Sequence, residues 1–519
     1  MWTAALISNI GTWMHSVGAG WLITTLSPTP LIIALVQTAT TLPVFLFALP
    51  AGALADIFNR RTLLLLTNGF MLAAALLFAA LVWMELITAE SLLLFTFLLG
   101  AGAAFMAPAW QAMIPEMVPR EELPQAVALG GISINLSRAV GPALAGMLIG
   151  VYGMVLPFAA NAVSFVVIIA ALLWWKYQIP AVSHALPPEH VVSAMKTGIR
   201  YAWHSRPLKY TMWHVSGYMF FANAVWGLLP IIAKNQFSAD AAFFGWLMSA
   251  IGIGAIAGAL FLPRLKNRLN ANQLVATGSM ITALMTRYFA TGSDSLLAII
   301  AGFIFGVGWI LVLATVNVSA QQALPDWVRA RGLAVFLMVF FGSMSLGTTF
   351  WGWLAGATSI MHALVVASIG AIVFVGLSYR FKLQQGKHLN FAPSLHWPEP
   401  MVHGRVTYEA GPVIIQIRYH VADKDRDNFL SAIYRLKTAR QRGGAYRWGV
   451  YEDAAHSGYF IEHFAEESWL AHMRHHERVT HVDKALQDAV LAFHQDKNPP
   501  EVQHFIAAYP SKKQSLSNR

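Results

Sequence analysis

Twelve apolar stretches alternate with short polar segments over the first 380 residues, each close to the ~20 residues that a helix needs to cross the hydrocarbon core. They lie at residues 3–25, 31–54, 62–84, 91–113, 124–150, 154–175, 210–233, 243–263, 272–290, 295–320, 329–354 and 360–380. A polar loop at 176–209 separates the sixth stretch from the seventh, and its residues 191–204 have the pattern of an amphipathic surface helix. The pattern predicts an all-α membrane protein with twelve transmembrane helices in two groups of six.

The two groups of six are related by an internal repeat at an offset of 206 residues. Seven of the thirteen glycines in the first 160 residues fall on another glycine at this offset, where about one or two would do so by chance. The pairs are Gly11/Gly217, Gly52/Gly258, Gly100/Gly306, Gly102/Gly308, Gly141/Gly347, Gly146/Gly352 and Gly150/Gly356. Tandem helix-bundle halves of this kind are typical of secondary transporters, which work by alternating access at the interface of the halves.

The sequence becomes that of a soluble domain after residue 380, with 31 of the last 129 residues charged. Alternating and amphipathic patterns predict a strand, a helix, two strands, a helix and a strand, at 413–419, 424–440, 446–451, 458–464, 468–494 and 502–509. This order is that of a small α+β ferredoxin-like domain. The predicted division is two six-helix bundles at 1–175 and 210–382, a connecting loop at 176–209, a linker at 383–411 and a cytoplasmic domain at 412–519.

Composition and charge agree with a membrane protein. The chain is 56% hydrophobic and 12% charged, with a mean hydropathy of +0.53, far from the roughly one quarter of charged residues in soluble domains. Residues 1–390 hold 19 Lys/Arg against 10 Asp/Glu, and the rest hold 16 against 15, without the basic stripe of a nucleic-acid-binding protein. Counting loops from a cytoplasmic start places 16 Lys/Arg on the cytoplasmic side and two on the other. This asymmetry predicts a multi-pass protein of the inner (plasma) membrane, surrounded by lipid, with both termini cytoplasmic.

Two features bear on processing and on metal chemistry. The chain begins Met1-Trp2 directly at an apolar stretch, so no cleavable signal peptide is expected. It has no cysteine, which excludes disulfides, thiolate metal sites and a cysteine nucleophile. No cofactor and no metal site are expected. His472, His475, His476 and His481 do not have the H-E-x-x-H spacing and are expected to be surface residues of a solvated helix.

The loop between the second and third stretches combines a glycine, an acidic residue and two arginines: Gly52, Asp56, Arg60 and Arg61. It resembles the loop signature of the major facilitator superfamily, G-x-L-A-D-R-x-G-R-[RK], with Asn59 where glycine is usual. Asparagine tolerates the left-handed conformation that such a turn can require. We expect Gly52 to let two helices approach closely, and Asp56 and Arg60 to form a charged gate that breaks when the halves rock. The alternative is that the two arginines are only topology anchors.

A second motif lies in the fifth stretch, Gly141-Pro142-Ala-Leu-Ala-Gly146. It resembles the fifth-helix signature of exporters in the superfamily, G-P-x-x-G-G, with Ala145 in place of a glycine. Pro142 removes a backbone hydrogen bond, and small residues permit close packing, so these positions are the candidate hinge. The resemblance implies export, and generic helix packing is the alternative.

Arg138 lies about halfway along the fifth stretch, and the twelve stretches contain no acidic residue near their middle. Charge inside a membrane is expensive and usually functional. An anionic substrate would supply the missing partner. The alternative is that Arg138 binds backbone carbonyls at a broken helix or the side chains of Asn135, Asn161 and Gln111.

Other polar and aromatic residues of the predicted helices complete the candidate site. His15, midway along the first stretch, is the central group that can carry a coupling proton near neutral pH, although a packing role is the more common one. Trp110 and Trp309 are candidates for stacking on planar substrate rings, with lipid contact or packing as the alternative. Gln111 and Asn317 are the remaining candidate substrate-binding residues.

The whole chain resembles one branch of the superfamily, the enterobactin-exporter-like proteins or transmembrane secretion effectors, as in the segments at 7–14 and 135–142. The C-terminal region, with residues 444–448 and 459–462, Ser468, Trp469 and His472, is similar to antibiotic-biosynthesis-monooxygenase-type domains. Those domains pair their sheets into dimers, and many perform no chemistry, so a homodimer is expected.

The resemblance implies a proton-driven exporter, not an enzyme, of small amphipathic molecules that are siderophore-like or drug-like. The alternative is a bifunctional or sensory protein whose C-terminal domain binds or modifies the ligand. Five polar residues would then serve that domain: Arg447, Glu462, His463, His472 and His476.

Overall fold

The computed structural model describes residues 1–175, 191–383, 390–394, 396–397 and 406–508. The chain forms two compact units. The membrane unit contains Met1–Val191, Pro207–Gln321 and Leu333–Gln385. The tail unit contains Val192–Arg206, Gln322–Gly332 and Gly386–Arg519.

Helices α1 to α13 fill most of the first 380 residues: α1 Trp2–Leu26, α2 Pro30–Ile57, α3 Arg60–Trp83, α4 Ala89–Met117, α5 Leu123–Tyr152, α6 Val155–Trp174, α7 Val191–His204, α8 Arg206–Asn235, α9 Ala241–Lys266, α10 Ala271–Thr291, α11 Ser295–Gln322, α12 Arg329–Ala357 and α13 Ile360–Ser378. Each predicted stretch is a helix, and the amphipathic segment is α7. Ten of the described helices are long and apolar enough to span a membrane. Among the twelve helices at the predicted stretches, α1 and α10 are the two outside this set, and they carry more Ser, Thr and Asn, so the number twelve stays a prediction.

Helices α1–α6 form one bundle of the membrane unit and α8–α13 form the other. Serine, threonine and asparagine side chains cap several helices, as at Thr88, whose hydroxyl accepts from the backbone N–H of Ser91 at the start of α4. Proline at the first position of α2 fits because that backbone position needs no donor. The buried side chains of both bundles are mainly alanine, leucine and phenylalanine.

The tail unit contains a four-stranded antiparallel sheet in the order β2-β3-β1-β4, with β1 Val413–His420, β2 Tyr446–Glu452, β3 Tyr459–Glu466 and β4 Glu501–Ile506. Helices α14 Arg426–Gly443, α15 Trp469–Arg478 and α16 His481–Leu491 complete it. Alternate residues of β1, beginning with Val413 and Ile415, pack on Phe429, Ile433 and Leu436 of α14. The predicted helix at 468–494 is in fact two helices, because the Thr480 hydroxyl accepts from Asp483 N–H and starts α16.

The tail unit also includes α7 and the segment that joins α11 to α12. The Tyr201 hydroxyl of α7 donates to the carbonyl of Ala323 (3.3 Å), and its ring packs on Trp327 with centroids 5.8 Å apart. The Arg478 guanidinium lies 4.6 Å from the centre of the Trp327 ring. Two segments that the sequence assigns to loops between membrane helices therefore pack with the C-terminal domain.

Candidate functional site

The two bundles of the membrane unit meet where the first half of α2 packs against α12. The Thr38 Oγ1 atom lies 3.0 Å from Thr349 Oγ1, and Thr41 Oγ1 lies 2.8 Å from Ser345 Oγ. The Thr41 hydroxyl also lies within hydrogen-bond distance of the Gln37 carbonyl of its own helix, at 3.0 Å, so this buried group can donate to Gln37 and accept from Ser345. Hydroxyl pairs of this kind hold two apolar helices in one register and are easily broken and remade.

The second contact between the bundles joins α9 to the candidate hinge positions of α5. A Cβ atom at Gly245 would lie 2.5 Å from the carbonyl oxygen of Pro142, and one at Gly146 would lie 2.8 Å from that of Ala241. Further along, a Cβ atom at Gly252 would lie 2.6 Å from the carbonyl oxygen of Arg138. The helices are therefore in backbone contact, which only glycine permits. Helix α5 is continuous through Pro142.

Gly141, the remaining hinge candidate, faces α1 rather than the other bundle. A Cβ atom there would lie 2.6 Å from Trp13 Cβ. The motif Gly141-Pro142-Ala-Leu-Ala-Gly146 thus packs α5 on two helices at once, with Gly141 toward α1 and Gly146 toward α9. Whether the segment pivots during transport stays a prediction.

These contacts lie between the middle of the helices and one end of the bundles. At that end the Lys234 ammonium of α8 also donates to the Thr24 carbonyl of α1, and the Trp21 ring stacks on Phe244. At the other end of α2, no heavy atom among the described residues lies within 4 Å of a Cβ atom built at Gly52, so this glycine does not mediate close helix contact in this conformation. The bundles are closed at the end where α1 finishes and α2 begins.

Arg138 is placed by α5 beside α1. The centre of the Trp13 ring lies 5.5 Å from its guanidinium carbon, a cation–π distance. Its Nε atom is buried and has no hydrogen-bond partner among the described residues. No residue that the structure describes forms an ion pair with Arg138.

The predicted protein partners of Arg138 are engaged elsewhere or do not contact it. The Asn135 amide donates to the Gly131 carbonyl of its own helix at 2.8 Å. Gln111 is exposed, and the buried Asn161 Oδ1 atom has no hydrogen-bond partner in the described structure. Because α5 is unbroken, its own carbonyls are used by the helix. The arrangement leaves a half-buried cation whose strongest described contact is an aromatic face.

The charged loop after α2 forms a different set of contacts from the predicted gate. Arg60 is paired with Glu116 of α4 and donates to the Ala112 carbonyl at 3.0 Å. Arg61 donates to the carbonyls of Leu172 and Leu173, at 2.9 and 3.0 Å, and so caps the end of α6. The Asp56 side chain lies outside the described residues, so its pairing with Arg60 stays a prediction.

Glu116 and Asn59 show what the sequence interpretation missed in this loop. Glu116 follows the fourth apolar stretch and was not recognised as a partner for Arg60. Asn59 has a φ of −57°, so it does not adopt the left-handed conformation. Its side chain instead accepts from Thr62 N–H at 3.1 Å and caps α3.

The aromatic and amide candidates are not gathered around Arg138. Trp309 is buried in an aromatic cluster, with ring centres 5.3 Å from Trp226 and 5.7 Å from Tyr218. Trp110 packs against the apolar cluster that includes Leu64. The Asn317 amide donates to the Leu313 carbonyl of its own helix at 2.8 Å. Their proposed roles as substrate-binding residues stay predictions.

His15 is buried between two phenylalanine rings of its bundle. The ring centres of Phe78 and Phe158 lie 5.2 and 5.1 Å away. Neither ring nitrogen of His15 has a hydrogen-bond partner in the described part of the chain. The residue is thus titratable, enclosed and unpaired, and its coupling role stays a prediction.

In the tail unit, the five residues suggested for ligand chemistry do not form one site, although His472 and His476 lie next to each other. Glu462 is fully buried and accepts from Arg440, from the Tyr419 hydroxyl (3.1 Å) and from Trp448 Nε1 (2.8 Å), so its oxygens are occupied. Successive residues of a strand face opposite sides, and the His463 ring accordingly stacks on Tyr451 with centres 5.0 Å apart. The Glu462 carboxylate stabilises the core. Burial of the Tyr419 hydroxyl, and then the neighbouring charge of Glu462, raise the pKa of Tyr419.

Arg447, another residue of that group, is exposed and lies at an irregularity of β2, between Tyr446 and Gly449. Its φ of +51° is in the left-handed region. Its guanidinium lies over the Tyr446 ring, 5.9 Å from the ring centre. It has no contact with Glu462 or with the histidines in the described structure.

The expectation that the histidines of α15 are solvated is wrong for two of them. His472 and His475 are 1% and 3% exposed, because both Nδ1 atoms bond the buried carboxylate of Glu466. Burial alone would raise the pKa of Glu466, but the two imidazoles hold it well below its usual range. Burial and then neighbouring His472 lower the pKa of His476 to about 3, and similarly that of His504 to about 4. His481, which starts α16, is exposed as expected.

Comparison with known families identifies the class to which this geometry corresponds. The family model described as transmembrane secretion effector matches residues 1–512. The staphyloferrin A transporter of Staphylococcus aureus is 22% identical over 408 residues, covering 74% of this chain and 98% of that protein. The enterobactin exporter EntS of Escherichia coli is 25% identical over 368 residues, covering 70% of this chain and 85% of that protein.

A solved transporter has a similar arrangement of membrane helices. The crystal structure of a POT family transporter in complex with 5-aminolevulinic acid superimposes with a TM-score of 0.60 at 12% identity, covering 74% of this chain and 96% of that one. At this identity the similarity concerns the fold alone. Together with the ten apolar helices, it shows a multi-pass membrane protein with the transporter fold.

Proposed function

The chain belongs to the transmembrane secretion effector family of major facilitator transporters, and on this premise we propose that it exports small amphipathic molecules across the inner membrane by alternating access. The observation that carries the proposal is the one-ended closure of the two bundles, through Thr41 and Ser345 on one helix pair and Pro142 and Gly245 on the other. With both termini in the cytoplasm, as the charge asymmetry predicts, the closed end is extracytoplasmic. This is the conformation in which an exporter takes up its cargo.

The proposed cargo is an anionic molecule with a planar ring, such as a siderophore or a similar drug-like compound. A guanidinium presents several N–H donors to carboxylate or phenolate oxygens, and Arg138 has a buried Nε without a partner among the described residues. The adjacent Trp13 ring offers a stacking face. Two relatives, named for staphyloferrin A and for enterobactin, support this class of cargo.

Coupling to protons is proposed to involve His15, and gating to involve the loop with Arg60. Protonation of a histidine enclosed by Phe78 and Phe158 would require a change in its surroundings, so the proton can be linked to the rocking of the bundles. The pair of Arg60 with Glu116 joins α3 to α4 at the cytoplasmic end and would be rearranged in the same transition.

The tail unit is proposed to be a ferredoxin-like domain of the monooxygenase-like type that forms a homodimer and performs no chemistry of its own. The sheet order β2-β3-β1-β4 supports the fold. One face of the sheet exposes Ile414, Tyr451 and Phe505 at 40%, 58% and 48%, which supports pairing of two sheets. The alternative, a ligand-modifying domain, is not favoured because Glu462 is fully engaged.

Transport in everted membrane vesicles tests the export proposal. Vesicles that contain the protein should accumulate an anionic catecholate or hydroxycarboxylate siderophore when a proton gradient is imposed, and a protonophore should stop accumulation. Vesicles with the Thr41→Cys/Ser345→Cys pair, oxidised to a disulfide, provide a matched control with the same protein held closed. Failure to accumulate any compound of a broad anionic and cationic panel would refute the proposal.

A further inference from the structure

Three histidines of the tail unit bring imidazole rings together next to a buried carboxylate. His472 and His476 are one helical turn apart on α15, and their Nε2 atoms lie 3.1 Å apart. His504 approaches from β4, with its ring centre 4.8 Å from that of His472. One nitrogen from each of the three lies within 4.8 Å of the other two.

The nitrogen positions fit a common metal ion. Two imidazole ligands of a tetrahedral zinc ion, with Zn–N bonds of ~2.0 to 2.1 Å, have nitrogens about 3.3 Å apart. The separation of 3.1 Å between His472 and His476 is close to that value. His504 lies on β4, the last strand in the sheet order and therefore an edge strand, and is only half-buried, so a small side-chain rotation can bring it into range.

The surroundings of His472 are those of a metal ligand. Its Nδ1 atom lies 2.9 Å from Glu466 Oε2, both groups being 1% exposed. A carboxylate accepts, so Nδ1 carries the proton and the Nε2 lone pair is directed toward His476. Metal-binding histidines commonly have such a carboxylate behind them, which fixes the tautomer and ring orientation. The Trp397 ring, 4.8 Å from that of His476, covers one side of the cluster.

From this arrangement we propose that His472, His476 and His504 form a binding site for a divalent transition-metal ion of the zinc type. Three neutral imidazoles suit zinc and its neighbours rather than magnesium or calcium, which prefer oxygen ligands. Glu466 positions His472 and is not itself a ligand. The fourth coordination position is taken by water. The site is independent of the proposed export function, since its residues belong to the tail unit.

Sequence spacing points to two of the three ligands, because His472 and His476, four residues apart, can share one face of a helix. The third ligand, His504, is 28 residues beyond His476 and on a strand instead of a helix. Only the packing of β4 beside α15 brings it near.

Metal binding by purified full-length protein tests the proposal. After treatment with a chelator, the protein should bind one Zn²⁺ per chain in a competition titration, with a rise in melting temperature. Co²⁺ should give the intense visible absorption of a tetrahedral nitrogen site. His504→Ala should weaken Zn²⁺ binding at least about 100-fold, and Glu466→Gln about 10- to 100-fold, the usual effect of losing an outer partner.

Two histidine variants away from the cluster are the controls. His481→Ala, at the exposed start of α16, and His463→Ala, stacked on Tyr451, should bind Zn²⁺ as tightly as the wild type. If Glu466→Gln fails to fold, His504→Ala on the half-buried edge strand decides the question. Equal Zn²⁺ affinity in wild type and His504→Ala, or an octahedral Co²⁺ spectrum in the wild type, would overturn the site. Neither result depends on transport.

Discussion

Replacing Arg138 with glutamine is expected to weaken the binding of anionic substrates while leaving the empty protein at least as stable as before. A charged side chain near the bilayer centre costs at least ~2.5 to 3.5 kcal/mol. The Trp13 ring at 5.5 Å offsets about 0.5 to 2 kcal/mol of this. Roughly 0.5 to 3 kcal/mol therefore remains uncompensated by the described contacts. Removing the charge relieves that cost in the absence of substrate.

A bound anion would compensate the guanidinium through charge-assisted hydrogen bonds of about 1.5 to 3 kcal/mol each. Losing one such bond raises Kd about 10- to 150-fold, which is the effect expected of Arg138→Gln. Arg138→Lys keeps the charge but loses the planar fork, so a smaller loss is expected. Neutral and cationic substrates should bind both variants as they bind the wild type.

The assay is calorimetric titration of detergent-purified protein with an anionic siderophore and with a cationic dye, accompanied by thermal unfolding without ligand. Arg287→Gln, which removes the same charge from an exposed position of α10, is the matched control. Equal affinity of wild type and Arg138→Gln for every transported anion would refute the reasoning. A lower melting temperature of the empty Arg138→Gln protein would show that Arg138 is a structural residue.

Three further outcomes are expected. Asp56→Asn and Glu116→Gln should each reduce transport rate more than expression level, because Asp56 belongs to the loop proposed as a gate and Glu116 pairs with Arg60 of that loop. Normal rates in both variants would show that the loop acts only as a topology signal. Gly245→Val should shift the protein away from the closed state and slow transport, because its Cβ atom would lie 2.5 Å from the carbonyl oxygen of Pro142. Unchanged labelling of cysteines introduced at the closed end would contradict this. Glu462→Ala should destabilise the tail unit by about 3 to 5 kcal/mol, measured by denaturant unfolding, because Arg440 is left buried without its carboxylate; a loss under ~1 kcal/mol would argue against a buried pair.

The hydrophobic pattern predicted the positions of the helices well. It predicted the side-chain contacts and helix caps poorly. Each apolar stretch forms a helix because a segment that crosses the membrane must be long and apolar and must satisfy its backbone hydrogen bonds within itself. Both requirements can be read from the local sequence. The break between α15 and α16 was missed because the capping residue Thr480 lies within a continuous amphipathic pattern. The same limit applies to Asn59, which caps α3 through its bond from Thr62 N–H, whereas the loop signature predicts a left-handed turn.

The candidate site was predictable in part. Arg138 could be identified because a charged residue within an apolar stretch is visible in the sequence. Its contact with Trp13 could not, because that contact depends on the packing of α1 against α5. Glu116 was overlooked as a partner because pairing with Arg60 connects residues 56 positions apart. The complete histidine cluster could not be predicted, because the approach of His504 to His472 and His476 depends on the position of β4 in the sheet.

Transport by a protein whose two bundles are cross-linked with a disulfide tests the central claim, transport by alternating access, most directly. The chain has no native cysteine, and the hydroxyl oxygens of Thr41 and Ser345 lie 2.8 Å apart across the interface, so a cysteine pair at these positions should form a disulfide on oxidation. We expect the oxidised pair to stop transport in everted vesicles and a reductant to restore it, with each single cysteine variant active throughout. Transport at the wild-type rate by the fully cross-linked protein would contradict the account.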